Sequence, residues 1–428
     1  MALYDEHPQR KTLSDEVHAR PPVPLRAPEV LTYLAFLHQG ENATERERAH
    51  LLLLSEQLGL APPDPASGHV LIDAGEFRLK WELHNEFSSY TFIRRIEPSD
   101  AADDGALRPV PAAWRKDIPG QLIVATHVSL RPAEPSAPQA ILASYGPNDA
   151  PLIASAIAGT CGWVFTDFQI RDGFSRFLVL DDGLTPRQAG RTVQRLLEIE
   201  TYRVLALLAF PVAKEIGQLL ARAENELASL MDAMGSAADS RDEHAILGRM
   251  TRLAAEIERS VARTTFRFGA AAAYYRLVGQ RIAELRESRL PGHPTLREFM
   301  ERRLTPAIDT CATMARRQED LSSRIARGSQ LLRTRVDLEL ERQNQELLAQ
   351  MNRRAKLQLR LQETVEGLSV VAITYYGSQL VHYLAKGAKN LIAPLSPEGI
   401  TAAAIPLIAA VVFAGLRRTR ARLGAEEA

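Results

Sequence analysis

Two short stretches of the sequence concentrate residue types that perform acid–base or metal chemistry. The first, HPQRKTLSDEVHARPP at residues 7–22, carries His7, Glu16 and His18. Two imidazoles and a carboxylate form a set that can bind a metal ion or act as a general base. Their spacing matches no zinc motif. The alternative is an irregular, proline-pinned segment whose His and Arg side chains hydrogen-bond to a folded domain.

The second stretch, WELHNEFSSYTFIR at residues 81–94, places His84, Glu86 and Arg94 on or near a predicted hairpin. A histidine there is more often a strand residue than a metal ligand. The sequence contains no Gly-rich phosphate loop, no GxSxG elbow and no CxxC pair, so it does not favour an enzyme and identifies no cofactor. Cys161 and Cys311 lie far apart, which predicts two reduced thiols.

Composition narrows the class of protein. The 428 residues can form two or three domains, and 52 basic side chains balance 52 acidic ones. This balance argues against nucleic acid as a partner of the whole protein. The first residues, MALYDEHPQRKTLSDE, contain acids and no apolar run, so we expect no signal peptide.

Near the C-terminus, two segments are long enough to cross a bilayer. Residues 367–385 and 399–416 lack Asp, Glu, Lys and Arg over nineteen and eighteen positions. A bilayer core about 30 Å thick needs roughly 17–25 helical residues. The alternative is two buried helices of a soluble protein. The sequence favours a transmembrane hairpin over residues 366–418, with the lipid bilayer as its partner.

Basic residues around these segments predict the orientation of the hairpin. The linker between the segments carries only Lys386, Lys389 and Glu398, whereas the two outer flanks carry Arg353, Arg354, Lys356, Arg360, Arg417, Arg418, Arg420 and Arg422. The positive-inside rule then places both flanks, and with them both chain termini, in the cytoplasm.

The first predicted span has one polar face. Its members recur at helical spacing and are Thr374, Tyr375, Ser378, Gln379 and His382. Polar side chains in a membrane either line a pore or hydrogen-bond to a neighbouring helix. The second span offers a stripe of small residues, Ala402, Pro406, Ala410 and Ala414, which permits close helix approach. We therefore favour packing of the polar face against this stripe over a conducting pore.

Upstream of the hairpin, the sequence predicts a long stalk helix over residues 294–365. No proline interrupts residues 307–385, and Leu340, Leu347, Leu361 and Leu368 keep a seven-residue spacing that Arg354 interrupts. This partial heptad pattern indicates a coiled coil and hence a homo-oligomer.

The remaining sequence predicts an α+β fold. Residues 1–24 form an extended N-terminal segment, and residues 25–184 form a mainly antiparallel sheet domain with one helix near residues 44–59. In this sheet Phe77, Leu79, Trp81 and Leu83 alternate to give a buried face. Residues 185–293 form antiparallel helices with Thr185 as an N-cap and a kink at Pro211. Residues 419–428 form a basic and acidic tail.

Four stretches together resemble a known family. They read HPQR…HARPP, FRLKWELHNEFSSYTF, AGRTVQRLLEIETYRVLALLAFP and ETVEGLSVVAITYYG, in this order. They are similar to a bacterial family of uncharacterised membrane-anchored proteins, the domain of unknown function 3422. The resemblance covers nearly the whole chain and implies a membrane anchor, with no established activity or cofactor. It places the protein in the bacterial inner (cytoplasmic) membrane as a multi-pass protein.

The predicted layout is also similar to that of CorA-type magnesium channels, which join an N-terminal α/β domain through a stalk to two C-terminal spans. That family carries a Gly-Met-Asn motif after its first span, whereas this sequence reads AKGAKN at residues 385–390. Two functions therefore remain open. One is a membrane-anchored oligomeric scaffold or ligand- or partner-binding module, and the other is a CorA-like channel or transporter.

Overall fold

The computed structural model describes most of the chain. The described residues are 7–11, 13–14, 21–64, 67–97, 105–134, 136–144, 151–237, 240–388 and 396–426, with side chains up to residue 418. These residues form two compact units. The first comprises Met1–Ser236 and Ala245–Ser329, and the second comprises Ala237–His244 and Gln330–Ala428.

A nine-stranded sheet is the framework of the first unit. Its strands are β1 (Glu29–Leu37), β2 (His69–Asp73), β3 (Arg78–Leu83), β4 (Phe87–Arg95), β5 (Gln121–Pro132), β6 (Ile153–Ile157), β7 (Gly162–Thr166), β8 (Ser175–Asp181) and β9 (Ser288–Arg289). The strand order is β2-β3-β4-β1-β5-β8-β7-β6-β9. All neighbours pair antiparallel except β5 and β8, which are parallel.

The described residues also form helices, which lie between the strands in the sequence and after the last of them. They are α1 (Ala43–Gln57), α2 (Ala112–Lys116), α3 (Ala137–Ser144), α4 (Pro186–Leu207), α5 (Ala209–Ser236), α6 (Ser240–Leu285), α7 (Leu296–Arg303), α8 (Thr305–Gly387) and α9 (Pro397–Glu426). Thr185 and Thr295 cap α4 and α7 through capping boxes, as their sequence patterns indicate.

Both faces of the sheet are covered. Consecutive residues of a strand point to opposite sides, so one strand contributes to two hydrophobic cores. Along β1, Val30 belongs to one hydrophobic core and Leu31 to another. The core that contains Val30 includes residues of α1 and the segment around α2, and it also buries Phe77, Leu79 and Trp81 as their alternation predicts. The core that contains Leu31 includes residues of α4, α5 and α6. We call these the α1 core and the α4 core.

The predicted kink at Pro211 is a break between two helices. Helix α4 ends at Leu207 and α5 begins at Ala209, so Pro211 lies in the first turn of α5. Proline has no N–H to bond the carbonyl four residues earlier, and its ring clashes with that carbonyl. Both effects fall on Leu207, which is the last residue of α4.

In the second unit, the end of α8 packs against α9.

Among the described residues, two helical stretches are long and apolar enough to cross a membrane by length and composition, Pro186–Ser236 and Pro397–Arg418. The predicted first span, residues 367–385, is not one of them, because its polar face lowers its hydropathy. Within Pro186–Ser236, Leu205 and Ala209 are fully buried in the α4 core.

The architecture is the predicted α+β fold, with a mostly antiparallel sheet, long helices in the middle and an apolar C-terminal helix. Sequence patterns do not predict β2, β6 and β9, nor the short helices α2 and α3. Each of these elements has at most eight residues, so their periodicity is too short to separate from a loop.

Candidate functional site

The N-terminal histidine stretch lies largely outside the described residues, since Glu16 and His18 are not among them. His7 is described and exposed, and its Nδ1 accepts a hydrogen bond from the Gln9 N–H at 3.2 Å. Within the described ranges, no three His, Cys, Asp or Glu side chains come together in a way that could hold a metal ion. The metal assignment to this stretch therefore stays a prediction.

The structure separates the members of the second stretch. His84 stacks on Phe87 with ring centroids 4.3 Å apart. Glu86 accepts hydrogen bonds from Tyr274 at 2.9 Å and from Arg267 at 2.5 Å, which ties the β3–β4 turn to α6. Arg94 instead donates to the Gly105 carbonyl at 3.3 Å. Of the three, His84 lines the cavity described next.

This cavity lies between the sheet and the helices of the α4 core and has a volume of about 310 Å³. Its polar lining comes from β3 and β4 on one wall and from α4 and α6 on the other. The charged members are Lys80, Glu82, Glu198 and Arg281. A protein interior seldom contains side chains of this type unless they are paired.

Strand register arranges the sheet wall in rows. Leu31 pairs with Ile93, and these two residues form the apolar part of a row that lines the cavity, whereas Arg78 on β3, the other neighbour of Ile93, does not line it. In the next row Thr91 lies between Tyr33 on β1 and Lys80 on β3, and one row further Ser89 is the partner of Glu82. The sheet wall therefore changes from apolar to charged within a few residues along the strands.

Two opposite charges are buried on the sheet wall. Lys80 and Glu82 are only 7% and 8% exposed, and Lys80 Nζ lies 2.8 Å from Glu82 Oε1. They are two residues apart on β3 and so point to the same face. Lys80 Nζ also lies 3.5 Å from Gln194 Oε1 of α4.

The helix wall continues this network. Gln194 Nε2 donates to Glu198 Oε1 at 2.9 Å, and Glu198 forms a close ion pair with Arg281 of α6. Arg281 also contacts Glu284 at 3.1 Å, and that carboxylate accepts from Arg195 Nε at 2.9 Å. A continuous chain of polar contacts thus joins β3, α4 and α6 around the cavity.

A buried tyrosine completes the lining. The hydroxyls of Tyr33 and Thr201 hydrogen-bond at 2.9 Å. Burial raises the pKa of Tyr33, more than the hydrogen bond to Thr201 lowers it. The phenol is therefore a neutral hydrogen-bonding group and not a base.

The second candidate surface is the polar face of the end of α8. Ser378 is buried, and Thr374 and His382 are half-buried, whereas Tyr375 and Gln379 are exposed. His382 Nδ1 lies 3.2 Å from Thr401 Oγ1 of α9. The structure thus turns three of the five predicted polar residues away from the outer surface and leaves two on it.

The side of α9 that meets α8 differs from the predicted one. Thr401 and Ile408 lie on it, the latter close to Gly377. The small-residue stripe is exposed and consists of Ala402, Pro406, Ala410 and Ala414. In the described chain, α8 therefore packs against a face of α9 other than the predicted small-residue stripe.

These features define an α+β protein that combines a sheet domain, whose cavity carries charges of both signs, with a long helix and an apolar C-terminal helix. The chain belongs to the family of proteins of unknown function DUF3422, whose model matches residues 5–423. No curated protein and no solved structure matches the chain significantly. The similarity of its layout to CorA-type channels stays a prediction.

Proposed function

We propose that this protein is a membrane-anchored module that holds its sheet domain in the cytoplasm. The observation that carries this proposal is the outer surface formed by the end of α8 and by α9. Val371, Leu380, Leu407 and Val411 are each about two-thirds exposed. Soluble proteins rarely expose contiguous apolar surface of this kind, which is typical of a membrane or protein interface.

Length and charge favour a bilayer as the partner of this surface. The α8–α9 pair is antiparallel, since His382 near the end of α8 meets Thr401 near the start of α9. The basic residues that precede residue 366 and those that follow residue 416 therefore come to the same end of the pair. The positive-inside rule then assigns that end to the cytoplasm.

The polar residues of α8 support an anchor more than a conducting path. His382 contacts Thr401 of α9 in the same chain, Ser378 is buried and Thr374 is half-buried, so this face is not an open surface. The small-residue stripe of α9 and the exposed Leu340, Leu347 and Leu361 of α8 are surfaces on which a second copy can pack. We include a homo-oligomer in the proposal on these grounds.

Removal of the chain from Glu366 onward tests the anchor. The truncated protein should move from the membrane fraction to the soluble fraction, with an unchanged tryptophan emission spectrum as the sign that the sheet domain is folded. Mass photometry of the intact protein in detergent gives the number of copies. A folded truncated protein that still sediments with membranes would contradict the proposal.

A further inference from the structure

The ion pair between Lys80 and Glu82 is buried in the wall of this cavity. It lies on a face of the sheet whose neighbouring row is Leu31 and Ile93, and Val193 and Leu197 of α4 also line the cavity. Burying two charges costs free energy that their attraction barely recovers, and apolar replacements are often neutral or stabilising. A charged pair at a cavity wall under these conditions points to ligand chemistry.

The cavity presents both signs of charge on both of its walls. On the sheet wall Lys80 pairs with Glu82, and on the helix wall Arg281 pairs with Glu198. Among the described lining residues, the two cations balance the two anions. A ligand with a net charge would leave an uncompensated charge in a largely buried site, which is unfavourable.

We infer that this cavity binds a small zwitterion that carries an apolar group, the chemical class to which free aliphatic and aromatic amino acids belong. The anionic group of the ligand meets Lys80 and Arg281, and its cationic group meets Glu82 and Glu198. The apolar group lies against the row of Leu31 and Ile93. The volume of about 310 Å³ equals that of about ten water molecules, which fits a ligand of this size.

A double variant removes the charges of the sheet wall without leaving a lone buried charge. Lys80→Met with Glu82→Leu should fold with unchanged or raised thermal stability and should lose ligand-induced stabilisation. The matched control is Glu29→Leu with Arg78→Met. This pair of the same sheet region joins at 2.6 Å and does not line the cavity, so its removal should keep ligand binding.

The probes are L-leucine, L-phenylalanine, N-acetyl-L-leucine, L-leucinamide, glycerol and inorganic phosphate. Each is added to the full-length protein in detergent, and affinity is measured by calorimetry and by the shift in melting temperature. At least one of the two amino acids should bind. N-acetyl-L-leucine and L-leucinamide, which each lack one charge, should bind at least about tenfold more weakly than L-leucine or not at all.

Three outcomes would overturn the inference while leaving the membrane anchor untouched. One is that neither amino acid binds, and another is that phosphate or a singly charged analogue binds as tightly as an amino acid. The third is that the Lys80→Met, Glu82→Leu variant binds as well as the wild type. Failure of the anchor is measured separately, by fractionation of the truncated chain.

Discussion

Glu47 is a carboxylic acid inside the α1 core, and its replacement by glutamine tests how this core depends on pH. The residue lies on α1 and is fully buried. His38 is a titratable neighbour, with its Nε2 3.5 Å from Glu47 Oε1. Burial raises the pKa of Glu47 from 4.5 to about 7, against the smaller lowering effects of the neighbouring Ser88 hydroxyl and the charge of Arg46.

The sign of the effect follows from which state holds the proton. Between pH 4.5 and 7, folded Glu47 keeps its proton while unfolded Glu47 loses it, so the free energy of unfolding falls as the pH rises. One pKa unit corresponds to about 1.4 kcal/mol, so the loss across this window is about 3 kcal/mol. Above pH 7 no further loss occurs. Glutamine resembles the protonated acid and does not titrate.

Glu47→Gln should therefore match the wild type near pH 4.5 and exceed it by about 3 kcal/mol at pH 8. Burial lowers the pKa of His38, so the contribution of His38 to the free energy of unfolding rises with pH up to 6.5. The wild type and Glu47→Gln both contain His38, so this contribution cancels to first order in their difference. The assay is urea unfolding followed by the fluorescence of Trp81 and Trp114, which are buried in the same core.

Glu45→Gln is the matched control, because Glu45 is an exposed carboxylate on the same helix. Over the same pH range its difference from the wild type should change much less than that of Glu47→Gln, because Glu45 is exposed to solvent. An equal stability difference between Glu47→Gln and the wild type at pH 5 and at pH 8 would refute the conclusion that the fold holds Glu47 as a neutral acid.

Further substitutions test the packing. A Cβ at Gly190 would lie 2.1 Å from the Val23 carbonyl oxygen, so Gly190→Ala should lower stability by about 1–3 kcal/mol in urea unfolding, although alanine favours a helix. Gly248→Ala, where no atom lies within 4 Å, should instead raise stability by up to about 1 kcal/mol, and equal effects at both sites would contradict the contact. Ser378→Cys should react with a membrane-impermeant thiol reagent no faster than Val371→Cys, because Ser378 faces α9. Fast labelling at Ser378, with ion flux that is lost on mutation, would favour a channel.

Sequence patterns predict the strands and helices of this fold better than they predict which elements pack over each strand. The alternation of Phe77, Leu79 and Trp81 correctly predicts one buried face of β3. The same alternation would place Lys80 and Glu82 on the opposite, solvent-facing side. They are buried as well, because α4 and α6 cover that side, and alternation within a strand carries no information about a helix more than a hundred residues away.

The cavity could not be predicted for the same reason, since its charged residues come from three distant segments. Gln194 and Glu198 are four residues apart on α4, which predicts a shared helix face, but their sequence context does not distinguish that face from a solvated one.

The one available signal is indirect. Arg281 follows a run of small and aromatic residues that indicates a packed helix, and its partner Glu198 directly follows Leu196 and Leu197 on α4. Charges that interrupt two apolar helix faces and a strand are expected to meet one another, because only pairing makes their burial tolerable. This argument predicts that the charges meet, and only the strand register places them beside an apolar row, where a zwitterion with an apolar group fits.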